Sequence, residues 1–399
     1  MKKRLFSFVL MLLVLSAMLP VQVSAAPEAV TINLYNWGQY LSDGTDGYID
    51  VIAEFEAKYP HIKVNQMTYD SNESMYTKLI AGGSSFDIII PSDYMVEKLI
   101  AEDMLEPLNF DNIPNYQYVD ENFKNPSYDP ENLYSVPYTW GSVGVIYNTA
   151  YVDEEDVGSW DLLWNEDYAG KILMFDNPRD AFAIAQLRLG YDLNTEDTDE
   201  LDAAAELLRE QKPVVQSYVM DQVFDKMQRE EAWIAPYYAG DYLLMAEENE
   251  NLAFYLPEEG YNLFVDALCI PKGCQHKEEA EIFINFLLEP EICGQNLEYL
   301  GYSSPETASL EYMDPEVAND PIAYPDEATK ALGSSFNSLS QEGTQYMNAL
   351  WLTVKTADTT TTVYLILTII AVVLVIFLWL FFKVRKRRQK ARRCQKWKT

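Results

Sequence analysis

Positive charge is scarce over most of this sequence. Between residues 5 and 382 stand sixteen Lys or Arg and all sixty-two Asp and Glu, a balance of -46. Such a field repels nucleic acid, anionic lipid and phosphate-bearing substrates, and it attracts cations. It also keeps a surface soluble, so only acids placed in a site speak to function. Histidine is scarcer still: His61 and His276 lie far apart, and no Cys-x-x-Cys exists, which argues against zinc. There is no Gly-x-Ser-x-Gly, no His-Glu-x-x-His and no Gly-rich phosphate loop. An enzyme, for example a carboxylate-pair glycosidase, therefore has acids but no nucleophile–base motif behind it. Cysteines number four. Cys394 lies in a basic tail; Cys269, Cys274 and Cys293 are an odd set that permits at most one disulfide and does not say which. Asp43, Asp46 and Asp50 suggest a calcium loop, but Tyr48 stands where an EF-hand needs Gly. No repeat of 20–50 residues is visible.

The remaining thirteen basic residues sit at the two ends. Lys2, Lys3 and Arg4 precede the apolar run Leu5 to Leu19, and Val23-Ser24-Ala25 offers small residues for cleavage. That pattern reads as a secretory signal peptide over 1–25. No Cys near its end would carry a lipid anchor. Val363 to Phe382 is uncharged and apolar over twenty residues. At about 1.5 Å per helical residue it reaches roughly 30 Å, the thickness of a bilayer's hydrocarbon core. Ten Lys or Arg and no acid follow it, which places 383–399 in the cytoplasm and the acidic bulk outside the plasma membrane. A transmembrane helix over 363–382 is thus expected to act as a leash, joined to the exported part by a Thr-rich stalk, 355–362.

About 330 exported residues exceed a usual single core, so two lobes are expected. VTINLY and IKVNQMTY alternate as strands, and FDIIIP is a short, fully apolar strand. Helices are expected between them: one ending at Pro60, one beginning after Ser71-Asn72, and one over 93–102. Strand and helix in alternation mean an α/β lobe with a mostly parallel sheet. VGVIYN (143–148) opens a second α/β stretch, with helices over 180–189 and 199–210 and strands in WIAPYY and LAFYL. NLFVDALCIP leads to two more helices, over 277–288 and 291–300. The division expected is 26–142 plus 266–310 for lobe 1 and 143–265 plus 311–354 for lobe 2.

Parallel sheets bind ligands beyond the carboxyl ends of their strands. There the sequence places Trp37, Gln39 and Tyr40; Ser92 and Tyr94; Asn177 and Asp180; Tyr238 and Asp241. Phe264 and Asp266 lie two apart in a strand and face one side. Tyr302 follows the last of these helices. Aromatic faces attract cations and cover methylene chains. Carboxylates pair with ammonium groups whose desolvation is otherwise costly. Together they suit a short aliphatic polyamine. Taken singly, each aromatic is an ordinary core residue and Asp180 an ordinary helix N-cap.

YNWGQY, TYDSNESMYTKL, FDIIIPSDYMVEKL, SVPYTWGSVGVIYN, SWDLLW, INFLLEPE and LGYSSPE…DPEVANDPIAYPD, spread over roughly residues 30–345, resemble the bacterial polyamine-binding proteins of spermidine/putrescine ABC importers. The resemblance implies a type II periplasmic-binding fold, two lobes joined by crossing strands that close on the ligand. It implies no catalysis, no cofactor, and delivery of the polyamine to a permease driven by a cytoplasmic ATPase. By position it makes Trp37, Tyr40 and Tyr302 aromatic walls, and Ser92 and Tyr94 a polar pair. It makes Asp180 and Asp241 ammonium-binding acids, puts Tyr238 where the family usually has Trp, and makes Phe264 and Asp266 an aromatic–acid pair. Two positions depart from the pattern: Gln39 and Asn177 stand where the family commonly has acids. An amide still accepts hydrogen bonds but gives up charge-assisted pairing, which is about twice as strong as neutral pairing. The preferred polyamine and its affinity therefore stay open. A membrane-anchored sensor of the same fold, or a carrier of another small solute, are the alternatives.

Overall fold

The computed structural model describes residues 29–82 and 85–356, and 368, 370, 372–377, 379 and 383 within the C-terminal apolar run. The expected signal peptide lies outside them, as do most of the stalk, the spanning run and the tail. Strand β1 (Val30–Trp37) pairs in parallel with β2 (Ile62–Tyr69) and with β3 (Ile88–Ile89). The helices between them start where short polar side chains cap free backbone N–H groups. Asp50 accepts from Ala53 N to open α1 (Val51–Lys58). Ser71 and Ser74 cap reciprocally at the head of α2 (Asn72–Ala81). Helix α3 (Asp93–Ala101) follows β3.

The sheet runs β2-β1-β3-β9-β4-β7-β5-β6. Its two middle strands are long and antiparallel: β4 (Ser135–Asn148) and β9 (Tyr261–Cys269). The first half of β4 pairs with β9. Its second half, from Val143, pairs instead with β7 (Ile234–Tyr238) and with β8 (Leu252–Tyr255). Beyond β7 lie β5 (Ile172–Phe175) and β6 (Val215–Val219), joined in parallel. One α/β lobe thus forms around β1–β3 and another around β5–β7, and β4 and β9 cross between them. The expectation of a mostly parallel sheet holds within each lobe and fails at this crossing.

Strand β4 begins eight residues before the expected VGVIYN. Pro137 masks it: Pro lacks a ladder N–H, and the register shifts between Pro137 and Thr139. Helices α4 (Pro178–Arg188) and α5 (Thr198–Gln211) fall where the apolar spacing puts them. Strand β6, α6 (Gln222–Gln228) and α7 (Ala239–Glu248) were not in the sequence reading. Helices α8 (Lys277–Leu287) and α9 (Pro290–Leu300) agree with it. Residues 307–318 then pack on α9, β10 (Gly333–Ser334) pairs with β9, and a helix over 341–356 packs on α4 and β6 through Trp351, whose ring meets Phe182 and Tyr218.

Cys269, Cys274 and Cys293 carry free thiols. Among the described residues no helix is long and apolar enough to cross a membrane. The described positions of the C-terminal run are helical, and the apolar side chains among them, from Ile370 to Trp379, are exposed.

Candidate functional site

A cavity of about 910 Å³ opens between the lobes, within the usual size of small-molecule sites. All twelve residues singled out by sequence line it: Trp37, Gln39, Tyr40, Ser92, Tyr94, Asn177, Asp180, Tyr238, Asp241, Phe264, Asp266 and Tyr302. Nine acids face it, and among the described residues no Lys or Arg does.

Strand register assembles the first wall. Trp37 and Tyr69 end β1 and β2 opposite each other. Both donate to the Ile90 carbonyl, Trp37 Nε1 at 2.8 Å and Tyr69 Oη at 2.6 Å, which holds their rings 4.7 Å apart. Gln39 turns the chain with φ of 43° and is exposed. Ser92 and Asn72 exchange two hydrogen bonds, Ser92 N to Asn72 Oδ1 at 3.1 Å and Asn72 Nδ2 to Ser92 Oγ at 3.0 Å. Tyr94 donates to Glu73 Oε1 at 3.0 Å.

Strand β9 supplies the floor. Phe264 pairs with Gly141 of β4; a Cβ on that glycine would stand 2.8 Å from the Phe264 ring. Asp266 is 4 % exposed. Its Oδ2 accepts from Tyr40 Oη at 2.5 Å, while its Oδ1 has no partner among the described residues that meets hydrogen-bond geometry. A bare buried acceptor is costly, and an ammonium donor would satisfy it.

The second lobe closes the site. Asn177, not Asp180, is the N-cap of α4, accepting from Arg179 N at 2.9 Å. Asn177 Nδ2 also donates to Asp180 Oδ2 at 2.6 Å, and Tyr238 Oη reaches the same oxygen at 3.2 Å. Asp180 is thus free of capping duty and buried in the cavity wall. Asp241 stands in the first turn of α7. Gly301, with φ of 70°, ends α9 and turns Tyr302 onto Gly240. Tyr302 completes an aromatic run with Tyr40 at 5.3 Å and Phe264 at 6.3 Å between centroids.

Burial dominates the electrostatics. Desolvation pushes the Asp266 carboxyl up to about 6, with Ser92 and Tyr40 drawing it partly back. It pushes Asp180 up to about 7, helped by Glu73 and opposed by Tyr238, Arg179 and Asn177. It pushes Asp241 up to about 7, opposed by Tyr302 and helped by Asp221 and Asp266. Three buried carboxyls are thus raised towards neutrality among rings, and a cation placed beside them would favour their ionised form.

Sequence reasoning does not single out Tyr69, Asp70, Asp221 or Phe336, which also line the cavity. Tyr69 ends β2 as Trp37 ends β1, and Asp70 comes next, so the strand-end rule contained the signal for both. Phe336 had none, because it arrives from a late segment that crosses both lobes. Asp43 and Asp50, two of the calcium-loop acids, serve locally: Asp43 accepts from Thr45, and Asp50 caps α1.

Two lobes joined by crossing strands around a ligand-sized cleft are the architecture of a solute-binding protein. The chain belongs to the bacterial extracellular solute-binding protein family, whose model matches residues 50–325. It is 33% identical over 322 residues to the spermidine/putrescine-binding periplasmic protein of Escherichia coli K12, covering 80% of this chain and 90% of that one. It is 28% identical over 339 residues to the putrescine-binding periplasmic protein PotF of the same organism, covering 80% of this chain and 90% of that one. Among solved structures, a putative spermidine/putrescine ABC transporter from Listeria monocytogenes superposes with a TM-score of 0.77 at 35% identity, covering 82% of this chain and 98% of that one.

Proposed function

We propose that this protein captures a polyamine of the putrescine–spermidine class between its two lobes and delivers it to an ABC permease and its ATPase. The observation that carries the reading is Asp266: a buried carboxylate whose Oδ1 has no hydrogen-bond partner among the described residues, in a cavity whose described lining holds rings and acids but no Lys or Arg. The relatives' names point to the same ligands. Trp37, Tyr40, Phe264 and Tyr302 would cover the methylene chain, with Tyr94 and Tyr238 at the Asp180 end. Asp180, Asp241 and Asp266 would take ammonium groups, and Gln39, Ser92 and Asn177 would add neutral hydrogen bonds. Sugars also stack on aromatics, but several convergent acids suit a cation better. Calorimetry with putrescine, spermidine, spermine and a sugar control tests the reading; an absence of heat with every amine ends it.

The anchoring belongs to the same proposal. Residues 26–142 plus 266–310 would form one lobe and 143–265 plus 311–354 the other, exported behind a signal at 1–25. A stalk over 355–362 and a spanning helix over 363–382 would hold them at the outer face of the plasma membrane, with 383–399 in the cytoplasm. The exposed apolar side chains from Ile370 to Trp379 support a lipid setting for that run. A membrane-fraction assay before and after alkaline washing tests it; release of the full-length chain by the wash would count against a span.

A further inference from the structure

The carboxylates of the cavity fall into two groups. Asp180 has Glu73 and Arg179 as its charged neighbours. Asp241 instead feels Asp221 and Asp266, so three carboxylates gather around the other end. Asp221 heads α6, yet its side chain makes no capping hydrogen bond. It projects towards the opposite lobe: its Oδ2 lies 3.5 Å from where a Cβ on Gly38 would stand. A Cβ at 38 would be in van der Waals contact with it, and neighbouring Gln39 brings no charge. Asp70, at the end of β2, is the next acid along that wall, near enough to repel the Asp221 charge. Two like charges facing each other from different lobes disfavour closure of the cleft until a cation lies between them. The same end contains Asp266, a buried lining carboxylate whose Oδ1 has no partner among the described residues that meets hydrogen-bond geometry.

We infer that Asp221, reaching over Gly38 and opposed by Asp70, is a specificity-determining residue that receives a third ammonium group, so that the site favours a linear triamine over a diamine. This rests on the polyamine reading above. One terminal ammonium sits at Asp180, the methylene chain runs along the rings, and the two remaining ammonium groups lie among Asp266, Asp241 and Asp221. A diamine would occupy Asp180 and Asp266 and leave the repulsion between Asp221 and Asp70 uncompensated. Because Asp221 is solvent-exposed at the mouth, its contribution is that of a partly screened pair.

The test is calorimetric titration of the full-length chain with putrescine and with spermidine, repeated on Asp221→Asn. The expected result is a fall of about twofold to fivefold in the spermidine-over-putrescine affinity ratio, the upper span of an exposed ion pair. Asp70→Asn should move the ratio the same way, and it reads the same quantity if Asp221→Asn does not fold. A ratio unchanged in a folded variant overturns the inference and leaves the polyamine reading standing. Failure of the unaltered chain to bind either amine would overturn the polyamine reading instead.

Discussion

The Tyr40 hydroxyl donates to Asp266 Oδ2 at 2.5 Å, tying the loop after β1 to the strand that crosses between the lobes. Thr139 Oγ1 lies 2.5 Å from the same hydroxyl, so Tyr40 is fixed from two sides. One carboxylate oxygen is thereby spent on holding an aromatic wall, and the other has no hydrogen-bond partner among the described residues; in the proposed function it takes an ammonium group. Replacing Asp266 with Ala should weaken polyamine binding by about 2–5 kcal/mol, the cost of stranding a desolvated ammonium. Calorimetry on the folded variant checks this, and an affinity within twofold of the unaltered protein would remove Asp266 from the site.

Acidity should act in opposite directions on the empty and the filled protein. In the unfolded chain these aspartates titrate near 4; in the folded, empty site Asp266 is raised to about 6 and Asp180 and Asp241 to about 7. Between those values the folded state holds protons that the unfolded state has released. Ligand-free stability should therefore be highest below about pH 4 as far as these groups decide it, and fall as pH rises from there to about 7–8. A bound ammonium requires the ionised form, so affinity should fall as pH drops from 8 to 5 and binding should release protons. Thermal melts with and without putrescine across that range test this. A ligand-induced rise in melting temperature that does not shrink towards pH 5 would contradict it.

The elements legible in the sequence were those whose pattern is local. IKVNQMTY alternates and forms β2 over the residues read, and Ser71 opens α2 with a cap that only neighbouring residues need. Strand β4 was half missed because its first residues are buried by partners far along the chain, and Pro137 disguises them. The twelve cavity residues were found because strand ends share one edge and because the resemblance spans the whole exported part. Asp70 stands just after β2, where the strand-end rule reaches it, whereas Asp221 escapes because sixty-two acids look alike in sequence. What separates Asp221 from the rest is a distance to Gly38 across two lobes, which no spacing along the chain encodes.

Gly240 should tolerate no side chain. A Cβ there would stand 2.7 Å from the Tyr302 ring, which is itself packed against Tyr40 and Phe264. The ring cannot retreat without opening the aromatic wall. Gly240→Ala should cost about 1–3 kcal/mol of stability by overpacking and weaken binding as well. Melting temperature and ligand affinity measured together decide the point; wild-type values for both would mean that the Tyr302 wall is softer than its packing implies.

The C-terminal helix over 341–356 makes a prediction about which lobe is tethered. Trp351 packs on Phe182 and Tyr218, Lys212 Nζ donates to the Val354 and Lys355 carbonyls at 3.1 and 2.6 Å, and Lys355 pairs with Asp176, the residue before cavity-lining Asn177. The chain therefore leaves from the β5–β6 lobe, close to the site, and a membrane span beyond it would hold that lobe while the other moves. Ending the chain after residue 356 keeps these contacts. Ligand affinity should then stay within about twofold, since distant, unshared sites are nearly additive. The protein should leave the membrane fraction, and polyamine uptake should fall as the local concentration at the permease drops. Uptake that stays intact at the same protein level would show that the permease recruits the free protein and that the leash is dispensable.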